Sequence, residues 1–399
     1  MIEESEALEK IIESTPQTVV RNIPVSHSLG CFLADDVRST INLPGVLQSG
    51  VDGYAVKASD CIDKLKELKI AGQSVAGSPC LASLKSGEVY RVFTGSQIPE
   101  GSDAVVMQED ITKLSNEFIA INKLVSVDDN VRRVGEVLAE GQKISAAGSC
   151  IKTTTLGALV AGGVFNINVG TFPSIGIIVT GDELVDPNEN EIASHQIYET
   201  NGIVLQNSVS KLGAEKIEVK RTGDDLAEIS TVFLKMKKWA DIILIVGGIS
   251  VGDRDFVKKS LQNCGVNEIF WRVRMKPGKP LYYGTYDNEG QVFGLPGNTV
   301  SAFACLQLFV RPAIRLRSGA LKDDLFLEKR SASCAESITN NTDRVHYICG
   351  KLSDGIFNPI GNQRSNNILA LSQSNSLLRL DSFSHFQSGE SVNCYYLPY

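Results

Sequence analysis

The chain has 399 residues, a formal net charge of -7 and a hydrophobic fraction of 43%, which is typical of a globular protein. This length predicts two to three domains, and the negative charge argues against general affinity for nucleic acid while leaving room for a local basic pocket that binds a small anion. Nine scattered cysteines without a CxxC pair indicate reduced thiols in a cytoplasmic protein, and an acidic N-terminus without an apolar run of ~20 residues indicates neither a signal peptide nor a membrane span.

The first 170 residues predict a small mixed domain that is interrupted by a β-rich insert. Residues 5–14 carry apolar side chains at helical spacing, and residues 19–37 look like two strands around a turn. Short strand-like runs separated by turns then continue to about residue 136. A turn and a helix over residues 155–161 follow, so the chain returns to the first domain.

Two turns of the insert contain candidate site residues. Asp52 lies in a Gly-rich turn directly before an apolar run, and Thr94 opens a loop directly after a strand-like run. Asp-Gly is also a common signal of a β-hairpin, and from these residues alone the hairpin is the better interpretation of Asp52.

From about residue 171 the pattern changes to an alternation of strands and helices. Apolar runs rich in β-branched residues predict strands at residues 175–179, 217–219 and 242–246. Segments with helical spacing predict helices at residues 201–212, 226–239 and 256–264. This alternation predicts a parallel sheet with helices on both faces, which is a three-layer α/β domain.

The strand predicted at residues 242–246 ends at a Gly-Gly pair that precedes two acids. Gly247 and Gly248 lack side chains, so a ligand can approach the backbone there. Asp253 and Asp255 follow the carboxyl end of the strand, which is the edge of an open α/β sheet where ligands bind. These acids beside a helix N-terminus favour a metal or phosphate site, and an N-cap with a solvated acid explains this stretch equally well.

The last part of the chain contains short strand-like runs, at residues 345–348, 368–371, 377–380 and 392–396, which predict a small β barrel or sandwich. The complete division predicts four domains. They are a discontinuous N-terminal domain of residues 1–40 and 137–170, a β-rich insert of residues 41–136, an α/β domain of residues 171–322 and a C-terminal β barrel of residues 323–399.

Acidic or polar residues follow several strands of the predicted sheet at one edge. Glu183, Asp224 and Asp255 come after three different strands, and the segment Pro296-Gly297-Asn298 follows another. Carboxylates at one edge of a sheet bind Mg²⁺ through a few direct or water-mediated contacts. The pattern therefore predicts a metal site formed by Glu183, Asp224 and Asp255.

Lys276 and Lys279 form the cationic counterpart of these acids. They lie three residues apart in a turn of Gly and Pro, where two ammonium groups can hold a tetrahedral oxyanion or a phosphate. An exposed loop with ordinary surface lysines is the alternative, but the apolar residues on both sides of the turn favour a buried setting. Acids with a metal beside lysines are typical of a site where phosphoryl groups are bound or displaced.

Six motifs occur in one order along the chain: D-G-Y-A-V, T-G-S-Q-I-P-E-G, T-G-D-E-L, G-G-I-S-V-G-D-R-D, K-P-G-K-P and L-P-G-N. Together they resemble the molybdopterin molybdotransferase (MoeA) family, which includes the gephyrin E domain, over essentially the whole chain. The resemblance implies insertion of molybdenum from molybdate into adenylylated molybdopterin with release of AMP and with Mg²⁺ as cofactor. It also implies an elongated homodimer of four-domain subunits that contacts the molybdopterin adenylyltransferase.

The resemblance assigns roles to individual residues. It implies that Asp52 and Thr94 face the cleft from the partner subunit, and that Glu183, Asp224 and Asp255 form its acidic side. Lys276 and Lys279 complete the implied catalytic set. The implied substrate-binding residues are Gly247, Gly248, Ser250, Pro296, Gly297, Asn298, Arg344 and Ser365.

The chain departs from the family at two positions. Family members commonly have an acid where Val137 stands and a proline where Thr299 stands. The first change removes a carboxylate, and the second adds a hydroxyl and an N–H to the loop that would contact molybdate. We expect an active enzyme, because the two lysines and the three acids are present.

Two other functions are compatible with the same sequence. The chain can be a catalytically weak, gephyrin-like scaffold that binds partner proteins, or a hydrolase that acts on nucleotide pyrophosphates with the same α/β domain. The acids and lysines argue against the first, and the combination of K-P-G-K-P with L-P-G-N argues against the second.

Overall fold

A six-stranded sheet forms the centre of the molecule in a computed structural model that describes residues 1–63, 65–189, 191–249, 256–287 and 289–397. Its strands in chain order are β1 (Ile175–Thr180), β2 (Ile217–Thr222), β3 (Ile242–Val246), β4 (Asn267–Trp271), β5 (Tyr282–Tyr286) and β6 (Gly290–Leu295). In space they run in the order β2-β1-β3-β6-β5-β4. The first four are parallel neighbours, and β5 and β4 add an antiparallel edge.

Helices cover both faces of this sheet, which confirms the predicted three-layer α/β arrangement. They are α1 (Asn201–Lys211), α2 (Leu226–Met236), α3 (Phe256–Asn263) and α4 (Thr299–Arg317). Alternate residues of β3 enter different cores, because side chains along a strand point to opposite faces. Leu244 packs with residues of α1 and α4, whereas Ile245 packs with residues of α2 and α3.

Helix α4 is the longest in the described residues and lies inside the protein. It spans Thr299–Arg317, 19 residues, and its length and composition alone would allow it to cross a membrane. The sequence-based expectation that no apolar segment approaches this length is therefore too strict. Most of the helix is buried against the sheet and the C-terminal strands, as in the core helix of a globular domain.

The C-terminal strands close into the predicted β barrel. Five strands form the ring, in the order Val345–Ser353, Ile356–Pro359, Lys329–Cys334, Ser391–Tyr396 and Ser376–Leu380, and the last pairs with the first. The predicted strand at residues 368–371 is wrong, because Ile368–Gln373 is a helix. Its N-cap residue Asn367 accepts a hydrogen bond from the backbone N–H of Ala370 at 3.2 Å, which stabilises the first turn.

The insert is rich in β structure, as predicted. One sheet contains six of its strands, in the spatial order Ala104–Met107, Gly53–Val56, Glu88–Val92, Glu67–Ser74, Phe118–Ile121 and Ile111–Lys113. Before and after it, Val20–Pro24 pairs with Asn166–Gly170 and Val37–Arg38 pairs with Lys143–Ser145. Gln48–Ser49 pairs with Val131–Arg132, and Thr153–Ala161 is a helix. The predicted domain boundaries themselves stay predictions.

The N-terminal helix Glu4–Glu13 packs against the central sheet rather than against its own neighbours in sequence. Ala7 and Ile11 are fully buried in the core that also contains Leu244 and barrel residues such as Tyr347. The Glu4 carboxylate forms an ion pair with Arg379 at 3.2 Å and accepts a hydrogen bond from the Tyr347 hydroxyl. One continuous core therefore joins the sheet, the barrel and the first helix.

Replacement of Leu244 by Ala is expected to lower the free energy of unfolding by about 2–5 kcal/mol, because it opens a cavity beside fully buried neighbours. Leu234→Ala is the matched control, since Leu234 is 46% exposed on α2 and its loss should change stability by about 0.5 kcal/mol or less. Urea unfolding followed by circular dichroism measures both. Equal effects of the two substitutions would contradict the burial described for β3.

Candidate functional site

A cleft of about 690 Å³ opens at the carboxyl ends of the four parallel strands. Loops after β2, β1, β3 and β6 form most of its wall, and one loop of the C-terminal barrel closes a side. The predicted residues that line it are Glu183, Asp224, Gly247, Gly248, Pro296, Gly297 and Asn298. The strand-end pattern read from the sequence therefore does bring these residues to one place.

Glu183 and Asp224 approach the cleft from neighbouring loops. The backbone N–H of Asp224 donates to the Asp182 carboxylate at 3.0 Å, which ties the loop after β2 to the loop after β1. Asp182 thereby helps to position the backbone of Asp224. Glu183 and Asp224 both line the cleft.

Two glycines allow the loops after β3 and β6 to meet. Gly247 has a φ of 92°, and a Cβ there would lie 2.6 Å from the carbonyl oxygen of Thr180. A Cβ on Gly297 would lie 3.6 Å from the Cα of Gly247. A side chain at residue 247 would therefore be strained and would clash with Thr180 at the end of β1.

Neutral hydrogen bonds hold the far wall of the cleft. The side-chain amide of Asn201, at the start of α1, donates to the carbonyl oxygen of Gly297 at 2.7 Å. The amide of Asn298 donates to the hydroxyl of Ser365 at 3.1 Å, which connects the loop after β6 to the barrel. Ser365 thus contacts a residue of the cleft wall, and its implied role in substrate binding stays a prediction.

The two lysines lie beside the cleft rather than in its wall. Among the described residues that line it, Pro280 is the one from the K-P-G-K-P turn. Lys276 is half-buried, and its backbone lies opposite that of His346 in the pairing between a short strand and the barrel. Lys279 is exposed. Pro277 lines a small neighbouring cavity together with Ser365. The prediction that both ammonium groups line the pocket is therefore not met in this single chain.

Lys276 and Arg344 make the setting of His346 electropositive. Burial, followed by these two cations, lowers the pKa of His346 from 6.5 to about 4. The ring Nε2 lies 2.9 Å from the Thr342 hydroxyl. His346 is therefore neutral at pH 7, and the cations around it favour an anion as a neighbour.

Asp52 and Thr94 contact each other in the insert, away from the cleft of the same chain. One oxygen of Asp52 accepts hydrogen bonds from the backbone N–H of Thr94 at 2.8 Å and from its hydroxyl at 2.9 Å. These two bonds, the backbone bond first, lower the pKa of Asp52. The carboxylate is exposed and ionised, and neither Asp52 nor Thr94 lines the cleft of its own chain.

Ser250, Asp253 and Asp255 lie outside the described residues, so the predicted third metal ligand is not placed. Within the ranges that are described, no three His, Cys, Asp or Glu side chains gather closely enough to hold a metal ion. The position of Val137, where the family has an acid, is 65% exposed.

Sequence reasoning missed several residues of the cleft wall. Thr200, Asn201, Ile197, Tyr198, Asn366 and Ile368 line it, and none was a predicted site residue. Thr200 and Asn201 stand at the start of a correctly predicted helix, where a Thr-Asn pair reads as an ordinary cap. Thr299 also lines the cleft, although the sequence marked it only as a departure from the family.

Comparison with known proteins identifies this arrangement. Family models match residues 2–163 as "MoeA N-terminal region (domain I and II)", residues 176–316 as "Probable molybdopterin binding domain" and residues 331–397 as "MoeA C-terminal region (domain IV)". A molybdopterin molybdenumtransferase of Haemophilus influenzae is 35% identical over 80% of this chain and 78% of its own length. The chain belongs to the MoeA family.

Other MoeA relatives match along the whole length. A molybdopterin molybdenumtransferase of Staphylococcus aureus is 29% identical over 97% of this chain and 94% of its own. The crystal structure of the molybdopterin biosynthesis moeA protein from Pyrococcus horikoshii OT3 superposes with a TM-score of 0.85 at 27% identity and covers 99% of this chain and 100% of its own. The fold and the order of its parts are therefore those of a MoeA protein.

Replacement of Lys276 by Met is expected to raise the pKa of His346 from about 4 toward 6.5, because it removes the larger of the two cationic effects. Lys279→Met is the matched control, since Lys279 is exposed and has no part in this shift. Titration of the His346 ring signals by nuclear magnetic resonance measures both variants. A pKa shift of equal size in the control would show that Lys276 is not the lysine that lowers the pKa of His346.

The same shift affects stability. An unfolded histidine takes up a proton near pH 6.5, whereas folded His346 does so near pH 4. Its contribution to stability is therefore complete above pH 6.5 and is lost as the pH falls toward 4.

Proposed function

We propose that the cleft is the site where molybdenum is inserted into adenylylated molybdopterin, with molybdate consumed and AMP released. Membership of the MoeA family gives the protein a role in molybdenum cofactor biosynthesis and makes it a transferase. The observation that carries the finer proposal is the meeting of Glu183 and Asp224 with the Pro296-Gly297-Asn298 loop in one cleft. That cleft lies in the segment matched as a probable molybdopterin binding domain.

The chain's own residues favour anionic substrates at this place. Helices α1 and α4 both begin at the cleft, and helix N-termini carry partial positive charge and free N–H groups. Lys276, Lys279 and Arg344 add cationic side chains on the barrel side. In this proposal, positioning of the two substrates and stabilisation of negative charge carry most of the catalysis.

The described acids fit a magnesium ion. Mg²⁺ is commonly held by one or two carboxylates and retains several waters, and Glu183 and Asp224 face one cleft from adjacent loops. Asp255 follows β3 in sequence and would be a third ligand. When bound, the ion would neutralise charge on phosphate oxygens of the substrate.

We also propose that the protein is a homodimer in which Asp52 and Thr94 of one subunit act at the cleft of the other. Their separation from the cleft of their own chain, together with their exposed and ionised setting, supports this arrangement. Contact with the molybdopterin adenylyltransferase would pass the adenylylated substrate directly to the cleft. The cytoplasmic location stays a prediction.

The double substitution of Lys276 and Lys279 by Ala is expected to lower molybdate-dependent AMP release by about 100-fold, the usual effect of removing charge stabilisation from a reacting centre. Lys235→Ala with Lys238→Ala is the matched control, because these lysines have the same spacing on and after α2. A reconstituted assay with adenylylated molybdopterin measures both. Release at the parental rate would contradict the assignment of the lysines.

Mixing subunits tests the shared site. Asp52→Ala and Asp224→Ala are each expected to be nearly inactive as homodimers, because each removes one half of every site. Coexpression of the two forms a mixed dimer with one intact site and should restore about a quarter of the parental activity if subunits pair at random in a two-fold dimer. The lack of any recovery in purified mixed dimers would place Asp52 at its own subunit's site.

A further inference from the structure

We propose that the hydroxyls of Thr200 and Thr299 act together as a binding pair for a tetrahedral oxyanion. This inference deepens the proposed function and rests on it, because molybdate and the phosphate of adenylylated molybdopterin both have this chemistry. The pair would set how tightly the cleft holds its anion.

The two hydroxyls meet across the cleft wall. Their Oγ1 atoms are 3.0 Å apart, and both residues line the cleft. Thr200 immediately precedes α1, and Thr299 is the first residue of α4. The hydrogen bond therefore joins the N-terminal ends of two helices that come from distant parts of the chain.

The pair always has one O–H group to spare. Each threonine has one hydroxyl proton, and their mutual hydrogen bond uses only one of the two. Neither hydroxyl has another partner within the residues that the structure describes. Whichever threonine donates to the other, the second proton can be donated to a ligand. An oxyanion in the cleft can accept a hydrogen bond from this spare hydroxyl. The oxyanion can also accept from the second hydroxyl, which would otherwise donate to its threonine partner.

The helices do not need these hydroxyls for their own stability. Thr200 is the N-cap of α1 but makes no side-chain capping bond, and the same is true of Asn298 before α4. Proline is well suited to the first position of a helix, where Thr299 stands. Asn298 has an extended backbone, with φ -69° and ψ 122°, which is compatible with a following proline. A threonine at residue 299 therefore adds a hydroxyl and an N–H that the fold does not require.

A buried acceptor next to the pair points to a ligand at the same end of the cleft. Asn201 is 7% exposed and lines the cleft, and its amide nitrogen is engaged by the carbonyl oxygen of Gly297. Its Oδ1 is buried without a hydrogen-bond partner among the described residues. Buried acceptors are rarely left unpaired, and because an oxyanion only accepts hydrogen bonds, the donor for this oxygen would be another group of the substrate, such as a hydroxyl or an amine.

The charge around the pair favours an anion held close to the helices. Two helix N-termini add partial positive charge, and the N–H of Thr299 lies in the first turn of α4, where backbone donors have no partner within the helix. Glu183 and Asp224 line the same cleft, and repulsion from these carboxylates would favour a position of the oxyanion close to the donors of the two threonines.

Binding of molybdate alone and of AMP alone to the full-length protein tests the pair by equilibrium dialysis. Thr299→Val and Thr200→Val are each expected to weaken binding of one of the two anions by about tenfold, the usual effect of losing a hydrogen bond to a charged group. Thr299→Ser should stay within about twofold of the parent. The double Val variant should bind more weakly than either single variant, because each single variant keeps one hydroxyl that can still donate to the anion and the double variant keeps none.

Thr153→Val is the matched control, because Thr153 is also the first residue of a helix and is exposed. Thr299→Pro and Thr153→Pro form a second matched pair if the Val variants do not fold. Weaker binding of molybdate only would identify molybdate as the oxyanion, and weaker binding of AMP only would identify the phosphate. If the Thr299 and Thr200 variants bind both anions as tightly as the parent protein does, the two hydroxyls do not form an oxyanion-binding pair.

The result also separates this inference from the proposed function. If the parent protein binds neither anion and releases no AMP from adenylylated molybdopterin, both fail together. The parent protein can release AMP while the threonine variants show the same half-saturating molybdate concentration and the same anion affinities as the parent. In that case only the proposed role of the threonine pair is wrong, and the proposed function stands. A higher half-saturating concentration with an unchanged maximal rate supports a binding role.

Discussion

The parallel pairing of β2, β1, β3 and β6 is the constraint on which the rest of the structure depends. Parallel neighbours all end at the same edge, so four loops that are far apart in sequence must share one space. Gly247 and Gly297 allow two of these loops to come almost into contact. The acids of the other two loops and the starts of two helices therefore line the same cleft.

The cleft is also tied to the barrel, and this limits how far its parts can move independently. Asn298 connects the loop after β6 to Ser365, and Lys276 lies on a short strand that pairs with the barrel strand Val345–Ser353. The core that starts in the central sheet continues through α4 into the barrel. Lys276 belongs to the same α/β segment as the acids and is in addition tied to the barrel by strand pairing, whereas Arg344 comes from the barrel itself. Substrate binding and charge stabilisation depend on the packing between these two parts.

The sequence predicted the α/β sheet well because buried parallel strands leave strong patterns. The apolar run of β3 and the Gly pair after it needed no other information, and the acids Glu183 and Asp224 followed from strand ends alone. The helix Ile368–Gln373 was missed because a short apolar run fits a strand or a helix equally well. The direction in which Lys279 points was not readable, since a turn of Gly and Pro fixes no side chain. The contact between Thr200 and Thr299 spans 99 residues and left no local signal.

The first helix has a consequence for how the protein is made. Ile2 exchanges backbone hydrogen bonds with Arg272 and Arg274, and Glu4 meets Arg379, which lies 375 residues later. A nascent chain therefore leaves the ribosome with its earliest segment lacking the surface on which it will finally rest. The core that covers Ala7 and Ile11 extends to Leu397, so it can be completed only after the C-terminal strands have been synthesised. The first helix therefore connects the beginning of the polypeptide to strands that are made near its end.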